Sequence, residues 1–85
     1  MEDLGPPSSY LELGKGTQCY SHDGEGIGQV AEVRAAPDED IFDGIIVNTE
    51  RGRRFVEAEH VQEIFERGVL LKIDRSAVED LPEHG

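Results

Sequence analysis

Three observations on the sequence predict one small domain built mainly from β-strands. Its 85 residues leave room for a single hydrophobic core. Short β-branched runs are separated by turns rich in Gly, Asp and Pro, the usual order of antiparallel strands joined by hairpins. Hydrophobic residues form 36% of the chain and charged residues 32%, a composition that folds rather than remaining disordered.

The first two strands are expected on either side of an Asp-Gly turn. The segment TQCY precedes SHDGEG, in which the pair Asp23-Gly24 favours a hairpin because glycine adopts positive φ without penalty. In the next segment, IGQVAEVRAA, the apolar residues Ile27, Val30 and Val33 are three apart, which fits neither strict alternation nor an uninterrupted helix. A strand with a β-bulge near Val30 or Ala31 accounts for this spacing.

The strongest strand signal lies in the middle of the chain. Residues 41–49, IFDGIIVNT, contain the β-branched run Ile45–Val47 and follow an acidic loop at 37–40. A short turn at 50–52 then allows RRFVEA, residues 53–58, to pair back as the second arm of a hairpin.

Residues 58–68, AEHVQEIFERG, fit two different structures. A helix is indicated by apolar residues at i, i+3 and i+4 followed by a glycine at the C-cap position: Val61, Ile64, Phe65 and Gly68. The pair Arg67-Gly68 could equally turn VQEIFE back onto VLLKID, where apolar residues alternate along one face. Periodicity alone leaves the two alternatives open.

The two ends of the chain are expected to differ from its centre. Residues 1–12 are predicted to be a flexible tail. Apart from Met1, the first nine residues, MEDLGPPSS, have only Leu4 to bury, which is too little apolar surface to offset the entropy lost on ordering. Residues 76–79 match the capping box S-x-x-E, which predicts a short helix through Leu81 that is stopped by Pro82. The domain is therefore placed at 13–82, followed by a frayed end at 83–85.

The quoted segments resemble the PRC-barrel family over about residues 13–82. LGKGTQCYSHDGEGIGQVAEV is similar to its opening strand, Asp-Gly turn and Ile-Gly-x-Val strand, and FDGIIVNT with RRFVEAEHVQEIFERGVLLKID is similar to its later hairpins. Ala58 stands where the family usually has Pro, and Cys19 where it usually has Val. The resemblance implies a small SH3-like β-barrel of about five to six strands with a short C-terminal helical turn, and it favours the hairpin over the helix at 58–68.

Charge and cysteine content limit the partners and the compartment. Eight Lys and Arg against 19 Asp and Glu give a net charge of −11, which repels nucleic acid and anionic membranes. Neutral or basic proteins are the expected partners. A homodimer is also consistent with the sequence, because so small a core gives little stability and a self-associating interface would add to it. A single cysteine and the absence of an apolar run of about 20 residues or a signal-like start favour a cytoplasmic location.

Candidate chemical sites in the sequence are better explained as structure. His22, Asp23 and Glu25 could ligate a metal, but a polar hairpin turn also explains the glycines around them. The acids at 38–43 lack the rest of a calcium loop. Cys19, on an alternating strand, is expected to be a small buried hydrophobe rather than a nucleophile. We therefore expect no catalytic, cofactor or metal site.

Aromatic residues and one basic cluster are the candidates for a binding surface. Aromatic and Arg side chains dominate binding energy at protein interfaces. The candidate residues are Phe42, Phe55, Phe65, Arg51, Arg53 and Arg54, and Tyr10 and Tyr20 are further aromatic candidates. The arginines are also expected to pair across strands with Glu57 or Glu50.

Two functions are consistent with these features. The first is a non-catalytic protein-interaction or adaptor module, which is the general role that the PRC-barrel resemblance implies. The alternative is an accessory in ribosome assembly or RNA processing, because the resemblance extends to the C-terminal domain of a bacterial ribosome maturation factor, in which the barrel binds a ribosomal protein. Neither function requires an enzyme active site.

Overall fold

The computed structural model describes residues 4–83, which form a curled half-barrel sheet and one short helix. The predicted all-β fold is confirmed. The strands are β1 (Gln18–Tyr20), β2 (Gly26–Ala36), β3 (Ile41–Thr49), β4 (Gly52–Glu57), β5 (Val61–Phe65) and β6 (Gly68–Leu71), and the helix is α1 (Arg75–Glu79). Short 3-10 turns at Pro37–Glu39 and Ala58–His60 join β2 to β3 and β4 to β5.

The six strands lie in the order β4-β3-β2-β1-β6-β5. Every neighbouring pair is antiparallel except β1 and β6, which run parallel with Cys19 beside Val69. Four hairpins thus supply most of the sheet, and the β1–β6 contact brings the two ends of the sheet-forming chain together. The hairpin of β3 and β4 was predicted from the sequence and has the register expected of a tight turn.

The predicted bulge in β2 is present. The pairing register with β3 shifts between Val30 and Glu32. Val30 pairs with Val47 and Val33 pairs with Ile45, so a spacing of three on β2 meets a spacing of two on β3. Because the extra residue is absorbed by the bulge, both valines stay on the same face of the sheet.

The core lies on the concave face of the sheet, where α1 covers one end. Its buried members are Cys19, Ile27, Val30, Ile45, Val47, Val56, Val69, Leu71 and Val78. Ile46 points to the opposite face, since both of its neighbours on β3 face the core. It is nevertheless 0% exposed, and Phe55 is its cross-strand partner. The outer face of the sheet therefore has an apolar centre of its own.

Residues 58–68 contain a turn and a hairpin rather than a helix. The hairpin alternative is confirmed, since Ile64 on β5 pairs with Val69 on β6 and Phe65 pairs with Gly68. The helical spacing does not determine the structure, because Val69 and Leu71 fill the core from the extended strand β6. That strand pairs with β5, which must therefore be extended as well.

Residues 4–8, which we call the strap, lie against the β5–β6 hairpin. Composition predicts a flexible tail over 1–12, whereas Leu4 is only 6% exposed and Pro7 forms a β-bridge with Phe65. The physical reason is that one leucine side chain and the backbone carbonyls of Leu4 and Pro6 suffice when the receiving edge is already formed. Residues 1–3 of the predicted tail and residues 84–85 of the predicted frayed end lie outside the described part of the chain.

The C-terminal helix begins earlier than the capping box predicts. Asp74 is the N-cap, and its carboxylate accepts hydrogen bonds from the Ala77 N–H at 2.9 Å and the Ser76 hydroxyl at 3.0 Å. The prediction that Ser76 caps the helix and that the helix extends to Leu81 is wrong. An Asp side chain is as good a cap as Ser, and starting at Arg75 places Val78 in the core.

Candidate protein-interaction site

The three phenylalanines predicted to bind a partner lie in three separate places. Phe42 is at the start of β3 beside the strap, Phe55 is on the outer face of β4, and Phe65 ends β5 next to Pro7. They do not form one surface. Each is half-buried, so each also has a packing role.

Phe42 is part of an aromatic pair whose contact the sequence does not predict. Its ring stacks on Tyr10 with centroids 5.0 Å apart and an interplanar angle of 10°. The Tyr10 hydroxyl donates a hydrogen bond to Asp40 Oδ1 at 3.1 Å, which ties residue 10 to the tip of the β2–β3 hairpin. Tyr10 falls within the predicted tail of residues 1–12, and its aromatic side chain is the signal in the sequence that this residue packs.

Below this pair is a surface depression of about 260 Å³ that we call the aromatic hollow. Its walls come from the end of the strap, from β3, from the 3-10 turn before β5, and from β5. The lining residues are Ser8, Ser9, Tyr10, Phe42, Ala58, Val61, Gln62, Glu63 and Ile64. It is large enough for one or two side chains of a partner, not for a drug-sized ligand.

Two exposed hydrophobic residues adjoin the aromatic pair in the chain. Leu11 is 63% exposed and Ile41 is 44% exposed, and they are the large hydrophobic residues of the described chain that solvent reaches most. Single exposed apolar residues are common on protein surfaces. Ile41 and Phe42 are successive residues of β3 and therefore point to opposite faces of the sheet, and neither Leu11 nor Ile41 lines the aromatic hollow.

The surroundings of the aromatic hollow are acidic. No Lys or Arg is among its lining residues, whereas Glu63 lines it and Asp40 is bonded to Tyr10. Beside Ala58, the Glu59 carboxylate accepts a hydrogen bond from the Glu57 carboxyl and repels its charged form, so the pKa of Glu57 is raised. Negative charge here is thus incompletely neutralised by the protein itself.

The predicted arginine cluster is divided among different partners. Arg51 Nε lies 3.4 Å from Glu79 Oε2 of α1, and Arg54 Nη1 lies 3.5 Å from Glu83 Oε2. The expected pairing with Glu50 or Glu57 is therefore wrong. The register of β3 and β4 places Gly44 opposite Glu57, while α1 and the segment after it pack on β4 and bring their own acids.

Within this cluster, the side chain of Arg54 is only 11% exposed and lies on the core side of the sheet, opposite Val47. Arg53 lies on the outer face, opposite Asn48. Successive residues of a strand point to opposite faces, so these two guanidinium groups cannot form one basic patch.

Phe55 and Phe65 have structural neighbours that explain their positions. A Cβ on Gly44 would lie 3.1 Å from the Phe55 ring, so this ring covers the space that the glycine leaves open. Phe55 also lines a shallow depression of about 430 Å³ with Arg34, Ala35 and Asp43. Phe65 pairs with Gly68 and bridges to Pro7.

The residues considered for chemistry are placed as structural groups. Cys19 is fully buried, and burial raises the pKa of its thiol to about 12, which keeps it protonated. Asp23 accepts a hydrogen bond from the Ser21 hydroxyl within the predicted turn, which lowers its pKa. In residues 4–83, no three His, Cys, Asp or Glu side chains come together to hold a metal ion.

No protein-family model matches the chain, and a search of curated proteins finds no match. The PRC-barrel resemblance therefore stays a prediction. Over the described residues, no helix has both the length and the hydrophobicity needed to cross a bilayer.

Proposed function

We propose that this protein is a non-catalytic interaction module that binds a basic, partly apolar segment of a partner protein in the aromatic hollow. The observation that carries the proposal is the stacked pair of Tyr10 and Phe42 at the wall of the aromatic hollow. Rigid aromatic side chains at the surface bury a large area on binding and lose little conformational entropy.

The charge around the hollow supports a basic partner. A Lys or Arg of the partner would meet Glu63 at the wall and the crowded carboxylates of Glu57 and Glu59 nearby. It would also benefit from the net charge of −11, which accelerates the approach of a cation. A second copy of the chain would bring 11 more negative charges and is a less favourable occupant.

The chemistry of the remaining residues supports binding rather than catalysis. The thiol of Cys19 is inside the core, and Arg51, Arg54 and Arg75 are each paired with an acid. A free thiol in a chain that has a single cysteine also favours the cytoplasm. Under this proposal the chain is an adaptor of the PRC-barrel type.

The experiment is a titration of the 15N-labelled protein with a synthetic peptide of alternating Lys and Leu. A peptide with Glu in place of Lys serves as the charge control. Amide shifts are expected at Tyr10, Phe42 and Val61 with the Lys peptide only, and Tyr10→Ala is expected to abolish them, because the stacked ring forms one wall of the hollow.

A matched pair of variants separates specific binding from general attraction to an acidic protein. Glu63→Gln and Glu50→Gln remove the same charge, the first in the hollow and the second at the turn between β3 and β4. Glu63→Gln is expected to weaken binding by about two- to fivefold, the effect of one exposed ion pair, while Glu50→Gln has no effect. Equal weakening by both, or full binding by Tyr10→Ala, contradicts the proposal.

A further inference from the structure

The strap occupies the β5–β6 hairpin as an added strand. The Ser8 N–H donates to the Ile64 carbonyl at 2.7 Å, the Glu66 N–H donates to the Pro6 carbonyl at 3.1 Å, and the Arg67 N–H donates to the Leu4 carbonyl at 2.9 Å. The bridge between Pro7 and Phe65 is antiparallel. These are the main-chain contacts by which an extended peptide joins a sheet edge.

A side-chain pocket fixes the register of this added strand. Gly68 has no side chain, and the space above its Cα is filled by Leu4 and Tyr20: a Cβ there would lie 2.8 Å from Leu4 Cδ2 and 3.1 Å from Tyr20 Cε2. Leu4 is 94% buried as a result, at 6% exposure. One leucine thus acts as an anchor in a notch formed by Gly68 and Tyr20.

The three positions after the anchor are also selective. Gly5 has φ of +83°, and a Cβ on it would lie 3.1 Å from the guanidinium nitrogens of Arg67, so a larger residue is disfavoured. Pro6 and Pro7 donate no backbone hydrogen bonds, and only the Pro6 carbonyl is used by the edge. The strap therefore completes the edge without exposing a new edge that could pair further.

We propose that the edge of β5–β6 is a binding groove for an extended Leu-Gly-Pro-Pro segment of a partner protein, kept closed in this chain by its own strap. The strap is the occupant that the structure shows, and it defines the chemistry of the partner segment: a leucine anchor, a residue without a side chain, then prolines. Because a tethered strap has an effective concentration in the millimolar range, a partner segment binds only when the strap is released. The proposal concerns a second binding surface, which shares only the strap residue Ser8 with the aromatic hollow.

The experiment uses two variants of the full chain that release the strap in opposite ways. Leu4→Ala empties the notch and leaves the groove intact. Gly68→Ala fills the notch and obstructs the groove. Both are expected to speed hydrogen exchange of the Glu66 and Arg67 amides on the order of tenfold or more, because these N–H groups bond to the strap.

The probe is the acetylated peptide Leu-Gly-Pro-Pro-Ser-Ser, with a second peptide that has alanine in place of the leucine. The leucine peptide is expected to bind Leu4→Ala and to restore slow exchange at Glu66 and Arg67, and to bind neither Gly68→Ala nor the wild-type chain. Light scattering on the same samples is expected to give the 9.4 kDa of a monomer.

Four results would overturn the proposal. Equal binding of both peptides would show that the leucine side chain is not recognised. Binding of the leucine peptide to Gly68→Ala would show that the binding site lies elsewhere. A doubled mass of either variant would identify a second copy as the occupant. Loss of the folded spectrum in both variants would show that the strap is an integral strand rather than a ligand. Each result leaves the Tyr10→Ala experiment on the aromatic hollow unaffected, so the two proposals fail separately.

Discussion

Two glycines on β2, two residues apart, are expected to respond to alanine in opposite directions. A Cβ on Gly28 would lie 1.9 Å from the Asn48 carbonyl oxygen and 2.9 Å from the Asn48 carbonyl carbon, both on the neighbouring strand β3. A Cβ on Gly26 would have the Gln18 side-chain amide as its nearest neighbour, at 3.9 Å. Neither glycine has the positive φ that would strain any other residue.

The magnitude follows from these distances. Ordinary contact begins at 3.4 Å, so Gly28→Ala is about 1.5 Å too close to backbone atoms that cannot rotate away. β2 and β3 must separate at a point next to Val47 of the core, a kind of overpacking that costs about 1–3 kcal/mol or more. Gly26→Ala meets no clash and restricts the unfolded chain, which stabilises by about 0.4–1 kcal/mol.

Thermal unfolding followed by circular dichroism measures both effects. In a domain of this size 1 kcal/mol corresponds to a change in Tm of about 4–8 °C. Gly28→Ala is therefore expected to lower Tm by at least about 4 °C, and Gly26→Ala to raise it by about 2–8 °C. Shifts of the same sign and size in the two variants would refute the close approach of β2 and β3 at Gly28.

Three further predictions test the core, the cysteine and the helix cap. Ile46→Ala is expected to lower the free energy of unfolding, measured with urea, by about 2–5 kcal/mol, although Ile46 faces outward. Ile41→Ala, at an exposed position, is expected to change it little. Similar small losses in both variants would mean that the outer face has no apolar centre. Iodoacetamide should alkylate Cys19 at pH 8 only as fast as the chain unfolds, because the thiol is buried with a pKa of about 12; mass spectrometry showing the rate of a free thiol contradicts this. The pKa of Asp74 is lowered in the folded state, chiefly by the Ala77 N–H, so its stabilising effect is present above the ordinary value of 3.8 and is lost as pH falls through the folded pKa. Asp74→Ala should therefore lower Tm at pH 7 by more than it does at pH 3, and a constant difference would exclude the carboxylate as the cap.

Sequence patterns located the central strands because strong local signals and the core agree there. The β-branched run at residues 45–47 is hydrophobic and faces a partner strand on both sides, so no competing structure was available. The spacing of Val30 and Val33 predicted a bulge because only an extra residue brings both valines to one face. At residues 58–68 the local signals conflicted, and the core decided in favour of the hairpin.

Long-range contacts account for what the sequence did not reveal. Leu4 has no apolar neighbours in the chain, and its burial depends on the notch at Gly68, which is 64 residues away in the sequence. Arg51 and Arg54 pair with Glu79 and Glu83 only because α1 packs on β4. Local pattern carries no information on such contacts, so the strap, the arginine partners and the contact of Tyr10 with Phe42 could not be predicted.

The two proposed surfaces share one segment, and this makes their binding events interdependent. Ser8 and Ser9 line the aromatic hollow, and Ser8 is also the last strap residue bonded to β5. The Ser8 part of the wall of the hollow is in place only when the strap is docked, whereas a Leu-Gly-Pro-Pro segment in the groove displaces the strap. Each ligand must then weaken the other by the same factor, because the coupling free energy is reciprocal. Titrating the Lys and Leu peptide into Leu4→Ala, with and without the Leu-Gly-Pro-Pro-Ser-Ser peptide, measures that factor. A factor of one would mean that the hollow keeps its shape without the chain's own strap and that the two surfaces act independently.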